Sequence, residues 1–243
     1  MSELLLIVAL LAAPDDVGAL LAAADAPRVA FIGSSVTLRA TLLAQGKPAR
    51  TAEFVLHVGG EDRQLVEFLD GRQRGRKFLT RGDRSWLLVP GARHPIAISP
   101  NQKMFGGLAF ADVARVRLAA DYDGTLRAEP GPCVEDGDGP CRVVDVRARS
   151  KAAPYASGTL WIDAAGLLRR AQYALASGKP AKRVQHEYRK RGAETVLARS
   201  VVFDLINPQQ ALRTELEYLK QRRREFPSGW FDPGPAEGEK GSE

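Results

Sequence analysis

Residues 76–113 read RKFLTRGDRSWLLVPGARHPIAISPNQKMFGGLAFADV, and this stretch decides the fold. Apolar residues 78–79 and 86–89 flank the turn residues 81–84, which predicts two strands joined by a tight turn. Residues 101–118 then predict a loop followed by a short helix. The residues of this stretch contain no set of side chains in a spacing typical of a catalytic site. They offer apolar and aromatic side chains on strands and on a loop, a pattern that favours holding an apolar ligand over breaking bonds.

Alternating apolar and polar residues extend this pattern in both directions along the chain. Residues 36–42, for example, repeat every second position, which is typical of a half-buried strand. Most connections are short and rich in Gly, Asp or Pro, which indicates an antiparallel meander rather than βαβ units. One apolar face and one solvated face predict a sheet that wraps around helices or a ligand. Further strands are predicted near residues 52–58, 64–69, 92–98, 125–127, 142–149, 158–162, 168–176, 181–189, 196–205 and 212–219.

The first residues have part of the pattern of an export signal. Residues 4–13, LLLIVALLAA, have the length of a signal-peptide hydrophobic region and are too short to span a bilayer. Glu3 and the lack of Lys or Arg depart from a signal peptide. We interpret residues 1–13 as a truncated signal-peptide remnant, and the alternative is a helix of the mature core.

A single domain is predicted after this segment. Asp15 and Asp16 can cap a helix that runs to about Ala26 and ends at Pro27. No internal repeat and no linker divides residues 14–232, so we expect one domain there. The tail, residues 233–243, is rich in Gly, Pro and Glu and is expected to be disordered.

Several motifs, taken in order, resemble the outer-membrane lipoprotein-sorting proteins of Gram-negative bacteria, the Lol-carrier-like (LolA/LolB-type) superfamily. The resemblance covers roughly residues 60 to 233. It implies an α+β fold in which a strongly curved antiparallel sheet forms an incomplete, half-open β-barrel with helices on or in its concave face. It also implies a periplasmic location and a non-enzymatic lipid-carrying role. The motifs are FLTRGDRSWLLVPGARHPIAIS, FGGLAFADV, DYDGTL, CRVVDVRAR, PYASGTLWIDAAGLLRRAQYALASGKPAKRV and FPSGWFDP.

Two cysteines, Cys133 and Cys141, lie in the Gly/Asp-rich segment PCVEDGDGPC. Such a segment can fold back as a hairpin loop, and no His or further Cys lies near enough in sequence to suggest zinc. Two free thiols in a cytosolic loop are the alternative. The export-like N-terminus and the family resemblance favour a disulfide, because disulfides persist in oxidising compartments.

Our main candidate site is the loop at residues 101–111. Methionine adapts to ligands of varied shape and the Gly-Gly step permits hinge motion, so this loop is predicted to gate an acyl-chain site. The alternative is that the same side chains plug the sheet permanently as core. Tryptophans on two predicted strands are expected to be walls of the site. The predicted hydrophobic contacts are Trp86, Met104, Phe105, Leu108, Phe110 and Trp161.

Catalytic, metal and cofactor motifs are missing from the sequence. The three histidines, His57, His94 and His186, have no metal-ligand spacing, and no G-x-S-x-G, P-loop or dinucleotide fingerprint occurs. Asp121 and Asp123 are the best paired carboxylates, but Asp123-Gly124 is also ordinary turn chemistry. The acidic group Glu135, Asp136 and Asp138 lacks EF-hand spacing. We therefore expect no enzyme activity, no catalytic residue, no metal and no cofactor.

The chain carries a formal net charge of +6, and its densest basic run spans residues 220–224, KQRRR. Such a run can contact phosphates of nucleic acid or lipid, but nucleic-acid sheets usually add stacking aromatics, and this strand offers only Tyr218. We expect no nucleic-acid partner. Peripheral membrane contact and a solvated strand end stay open as alternatives.

Together these features predict a periplasmic, non-catalytic carrier of lipid or of lipoprotein acyl chains. An inner-membrane transporter is a partner that such a carrier could have. The alternative function is a periplasmic sensor or accessory subunit that docks on an envelope transporter or regulator. A second alternative is a hydrolase whose site is assembled from residues that match no known motif.

Overall fold

The computed structural model describes residues 16–99, 101–114, 117–134 and 139–234. The predicted signal-peptide remnant, most of the predicted tail, and the acidic group Glu135, Asp136 and Asp138 lie outside these residues. The helices are α1 (Val17–Val29), α2 (Phe110–Ala114) and α3 (Leu118–Asp121). The first strands are β1 (Ser34–Ala44), β2 (Lys47–Gly60), β3 (Arg63–Phe68), β4 (Lys77–Arg81), β5 (Arg84–Leu88), β6 (Ile96–Ala97), β7 (Lys103–Phe105) and β8 (Leu108–Ala109). They are followed by β9 (Tyr122–Leu126), β10 (Gly131–Pro132), β11 (Pro140–Ala148), β12 (Ser157–Ile162), β13 (Leu168–Ala174), β14 (Pro180–Arg191), β15 (Glu194–Asp204) and β16 (Leu212–Arg223).

One large antiparallel sheet dominates the described residues. Its order is β10-β11-β12-β13-β14-β15-β16-β1-β2-β3-β4-β5-β6, and β9 also pairs with β11. Nearly all neighbours are consecutive in sequence, as short turns require, and β16 returns to pair with β1. The predicted antiparallel meander with few helices is confirmed. In the described part of the chain β6 does not pair with β10, so the sheet is not a closed barrel.

One face of the sheet forms the main core. In β1 the apolar residues Val36, Leu38 and Ala40 are buried, and the residues between them are less buried. This follows from the two-residue period of a strand, which sends alternate side chains to opposite faces. The other face is solvated there: Arg39 pairs with Glu53 at 2.9 Å. We call the face with the main core the inner face.

Helix α1 packs on the inner face. The Asp16 carboxylate caps it by accepting from the backbone N–H groups of Gly18 at 2.9 Å and Ala19 at 3.2 Å, as predicted. The prediction that Pro27 ends the helix is wrong, because α1 continues to Val29 and Pro27 is buried within it. The next turn still closes, since the N–H of residue 30 donates to the carbonyl of residue 26 at 3.0 Å.

Two parts of the segment from 92 to 109 differ from the prediction. The strand expected over 92–98 is reduced to Ile96–Ala97, because Pro95 lacks a backbone N–H and cannot extend the ladder. Residues expected to be loop instead form the β7–β8 hairpin, in which Phe105 pairs with Leu108. None of the described helices is long and apolar enough to cross a membrane.

Candidate ligand-binding site

An apolar cavity of about 170 Å³ lies between α1 and the inner face of the sheet. Helix α1 supplies one wall, α2 and α3 supply a second, and strands β2, β15 and β16 supply the floor. Phe31 stacks on Tyr218 with ring centroids 5.7 Å apart, which fixes two aromatic walls. The apolar lining residues are Ala22, Val29, Phe31, Ile32, Leu56, Val58, Val113, Ala114, Ala119, Ala120, Leu197 and Tyr218.

The mouth of this cavity is polar and well organised. The Asp25 carboxylate accepts from the backbone N–H groups of Leu118 at 3.1 Å and Ala119 at 3.0 Å, so α1 holds the start of α3. Burial raises the pKa of Asp25, and these two hydrogen bonds oppose that rise. Arg117 pairs with Asp121 at 2.9 Å. Asp25 therefore ties α1 to α3 at the edge of the cavity, and the Arg117–Asp121 pair lies within α3 and its N-terminal cap.

The four loop residues predicted to bind ligand are buried in the main core. Met104, Phe105, Leu108 and Phe110 are each at most 3% exposed and belong to one hydrophobic cluster. They do not line the cavity. We call residues 103–110 the plug segment. Its side chains fill the inner face at the end of the sheet where β1 finishes and β2 begins.

The two glycines of the plug segment, Gly106 and Gly107, allow close packing and do not create free space. Gly106 has φ +55°, and a Cβ there would lie 2.7 Å from a methyl carbon of Leu42. A Cβ on Gly107 would lie 2.8 Å from Cβ of Asp204. The hairpin tip is therefore wedged between β1 and the end of β15.

A buried ionic network holds the plug segment, and no sequence pattern predicts it. The Lys182 ammonium donates to the carbonyl of Gly107 and lies 3.9 Å from Asp112 and 4.0 Å from Asp204. Asp112 also accepts from the Tyr155 hydroxyl and from the backbone N–H of Ala109 at 2.7 Å. Burial raises the pKa of Asp112, and the Lys182 charge opposes that rise.

The two tryptophans lie on the opposite, outer face, so the structure does not bring the six predicted contacts together. Trp86 packs on an outer cluster of Leu65, Leu79 and Phe231. Trp161 stacks under Arg170, whose Cζ is 3.8 Å from the ring centroid. Both positions alternate with inner-face residues along their strands, which fixes their direction. Neither tryptophan is among the residues that line the cavity.

Cys133 and Cys141 are joined by a disulfide at the β10–β11 edge of the sheet. Neither cysteine lines the cavity. The bond joins the residue that follows β10 to the second residue of β11.

The predicted chemistry-bearing residues are engaged in structural contacts. His186 and His57 are buried, and their Nδ1 atoms lie 2.8 Å from the hydroxyls of Ser200 and Ser35. Burial lowers the pKa of His186 well below its usual value. His94 lies in a loop and is exposed. In the described ranges no group of three or more His, Cys, Asp or Glu side chains is arranged to hold a metal.

The other predicted polar clusters are also divided among separate contacts. Asp123 pairs with Arg149 at 2.8 Å, whereas Asp121 pairs with Arg117, so the two carboxylates do not act as a pair. In the basic run, Arg223 donates to the carbonyl of Ile32 at 2.9 Å. Arg224 lies 4.4 Å from the ring centroid of Trp230. Two of the four basic side chains in this run therefore make contacts with other parts of the fold.

Comparisons with known proteins agree with this architecture. A family model described only as "Uncharacterized protein" matches residues 60–234. The structure of a LolA superfamily protein from Nitrosomonas europaea has a TM-score of 0.77 at 20% identity, covering 88% of this chain and 96% of that chain. A DUF1329 family protein from Desulfovibrio piger has a TM-score of 0.69 at 18% identity, covering 88% of this chain and 95% of that chain. An outer membrane lipoprotein-sorting protein domain from Vibrio parahaemolyticus has a TM-score of 0.68 at 18% identity, covering 87% of this chain and 95% of that chain.

No curated protein matches the sequence. The family model covers well over half of the chain, and the structural likenesses establish the fold. The chain therefore belongs to the family of that model, and its fold is the one shared by LolA-type outer-membrane lipoprotein-sorting proteins.

Proposed function

We propose that this protein is a non-catalytic carrier that binds acyl chains of lipids or lipoproteins in the periplasm. The observation that carries the proposal is the apolar cavity between α1 and the inner face of the sheet. Two structural neighbours are a LolA superfamily protein and an outer membrane lipoprotein-sorting protein domain, which supports the same class of ligand. In this proposal the sheet curves into an incomplete barrel whose concave face holds α1, the cavity and the plug segment.

The cavity volume sets what the observed state can hold. An apolar cavity of about 150 Å³ accommodates a molecule the size of benzene, and this cavity measures about 170 Å³. It therefore holds about six carbons of a chain, worth about 5 kcal/mol at about 0.8 kcal/mol per methylene. A longer chain needs more room. We propose that a longer chain also occupies the far end of the inner face, where it displaces Met104 and Phe105 of the plug segment.

The absence of catalysis in this proposal rests on how the interior polar groups are used. The Lys182 network pins the plug segment, and the two buried Ser–His pairs contribute to the core. Neither serine is presented to the cavity, because neither is among its lining residues. A periplasmic location fits the disulfide, since such bonds persist outside the cytosol. Donor and acceptor partners such as an inner-membrane transporter belong to this proposal as well.

A bulky side chain at the cavity mouth tests the proposal. Ala22 lines the cavity and is exposed at its mouth, so Ala22→Trp can occupy space there without overpacking the core. Displacing two to three methylenes should cost about 2 kcal/mol, or about 30-fold in affinity for a fluorescent fatty acid. Ala19→Trp is the matched control, because Ala19 is also exposed on α1 but does not line the cavity.

The comparison of the two variants decides the outcome. The carrier proposal requires Ala22→Trp to weaken uptake while Ala19→Trp leaves it unchanged and both keep the thermal transition of the parent. Equal uptake by both variants, or no uptake by the parent protein, contradicts it. Native mass spectrometry of protein purified from its own envelope gives a second readout, in which a co-purifying lipid is expected.

A further inference from the structure

The end of the sheet that holds the plug segment carries an excess of positive charge. Its loops come from the β1–β2 hairpin, from the β3–β4 connection and from the residues after β5. They carry six basic side chains, five exposed and one half-buried, which we call the basic rim: Lys47, Arg50, Arg72, Arg74, Arg76 and Arg93.

Direct contacts show that the basic rim surrounds the plug segment. The Arg50 guanidinium lies 5.1 Å from the ring centroid of Phe105. Gln73, between two rim arginines, donates to the carbonyl of Met104 at 3.3 Å. The loop after β5 reaches the same place, because a Cβ on Gly75 would lie 3.1 Å from Cγ of Pro90.

The charge of the basic rim is not compensated locally. Elsewhere arginines on the outer face pair with carboxylates, as Arg127 does with Asp145 at 2.7 Å and Arg199 does with Glu215 at 2.8 Å. Among the described residues, no rim side chain makes an ion pair. The nearby carboxylates offset little of this charge: Asp70 accepts from the backbone N–H of Glu53 at 3.1 Å and pairs with no rim side chain, and buried Asp204 pairs with Lys103 at 3.3 Å.

Exposed apolar side chains accompany this charge. Leu69 is 40% exposed just before the β3–β4 loop, and Ile96 is 50% exposed on β6. Ile206 is 46% exposed, two residues beyond Asp204, which contacts the plug tip. Large apolar groups next to uncompensated cations are the composition that binds an anionic membrane surface, where the cations meet headgroups and the apolar groups enter the interface.

We infer that the basic rim docks this protein on a lipid bilayer that carries anionic headgroups. Each basic side chain near such a surface contributes roughly a fivefold gain in binding, and salt weakens it within a Debye length of about 8–10 Å. Docking in this orientation turns the plug segment toward the membrane. The inference stands apart from the carrier proposal, because vesicle binding is measured without any cavity ligand.

Vesicle flotation of the full chain tests the inference. The probes are phosphatidylcholine vesicles and mixed phosphatidylcholine–phosphatidylglycerol vesicles. The test variant is Arg72→Glu/Arg74→Glu, which reverses two exposed rim charges. The matched control is Lys220→Glu/Arg222→Glu, which makes the same charge change on exposed residues of the basic run in β16.

The expected result is binding to the phosphatidylglycerol vesicles alone, at least 25-fold weaker in the rim variant and little changed in the control. Rising salt should weaken the parent more than the rim variant. Equal losses in both variants would assign the binding to net charge and overturn the inference. Binding to neutral vesicles, or to neither kind, overturns it as well, and in the last case an acidic protein partner becomes the better occupant. Circular dichroism and the thermal transition of each variant confirm that it is folded.

Discussion

We predict that the Lys182 network contributes strongly to the free energy of unfolding, because it holds the plug segment. The Lys182 side chain is 4% exposed, and the Asp112 and Asp204 side chains facing it are 2% and 1% exposed. Lys182→Met keeps the aliphatic stem but removes the cation between two buried carboxylates and the donor to Gly107. Asp204 keeps its ion pair with Lys103, but Asp112 loses the cation that faces it. Breaking a buried pair by removing one partner costs about 3–5 kcal/mol, because the remaining charge is left uncompensated. We expect a loss of that size in the free energy of unfolding.

Urea denaturation followed by far-UV circular dichroism measures this loss. Lys179→Met is the matched control, because Lys179 is exposed three residues earlier and should change stability by less than about 0.5 kcal/mol. Adding Asp112→Asn to Lys182→Met should recover part of the loss, since it removes one stranded charge. A loss below about 1 kcal/mol for Lys182→Met, or one no larger than that of the control, would show that the network does not hold the plug segment.

Two further predictions concern pH and the plug tip. Burial, with help from the Arg224 and Lys77 charges, lowers the pKa of His57 from 6.5 to about 4. Between these values only the unfolded chain binds the proton, so acid removes up to about 3 kcal/mol of stability as the pH falls through this window. Denaturation from pH 7 to pH 4 should show a shallower decline for His57→Gln, and a decline identical to that of the parent would refute the assignment. In urea denaturation, Gly106→Ala should lower the free energy of unfolding by about 1–3 kcal/mol more than Gly82→Ala does. Both glycines have a similar positive φ, but only at Gly106 would the added Cβ meet a neighbouring side chain. Equal losses would show that the tip of the plug segment has room for a methyl group.

Local patterns in the sequence determined the elements of this protein. The two-residue period of β1 and the Asp16 cap of α1 depend on residues close together in the chain, so both were predictable. Short turns then required antiparallel neighbours, which gave most of the sheet order. Local signals failed where two effects competed. Pro27 predicted that the helix ends at about residue 26, but α1, which packs on the sheet, continues to Val29.

The tertiary structure alone decided which face β4 and β5 present to the core. Around β4 and β5 both faces are apolar, since Phe78 packs in the main core while Leu79 and Trp86 pack in the outer cluster. Alternation cannot tell two apolar faces apart. The apolar residues of the outer cluster are buried because Phe231, more than a hundred residues later in the chain, packs over them. The Phe231 ring also lies close to β2, since a Cβ on Gly59 would lie 2.3 Å from it.

The same reason explains why the sequence missed the cavity and the buried network. Lys182, Asp112 and Asp204 lie on separate elements, and each reads in the sequence as an ordinary charged residue. They meet only when the plug segment packs against the ends of β14 and β15. The cavity likewise exists only once α1, α3 and β16 enclose it. Periodicity specifies elements because it depends on neighbours in the chain, whereas a site depends on side chains that only the packed sheet brings together.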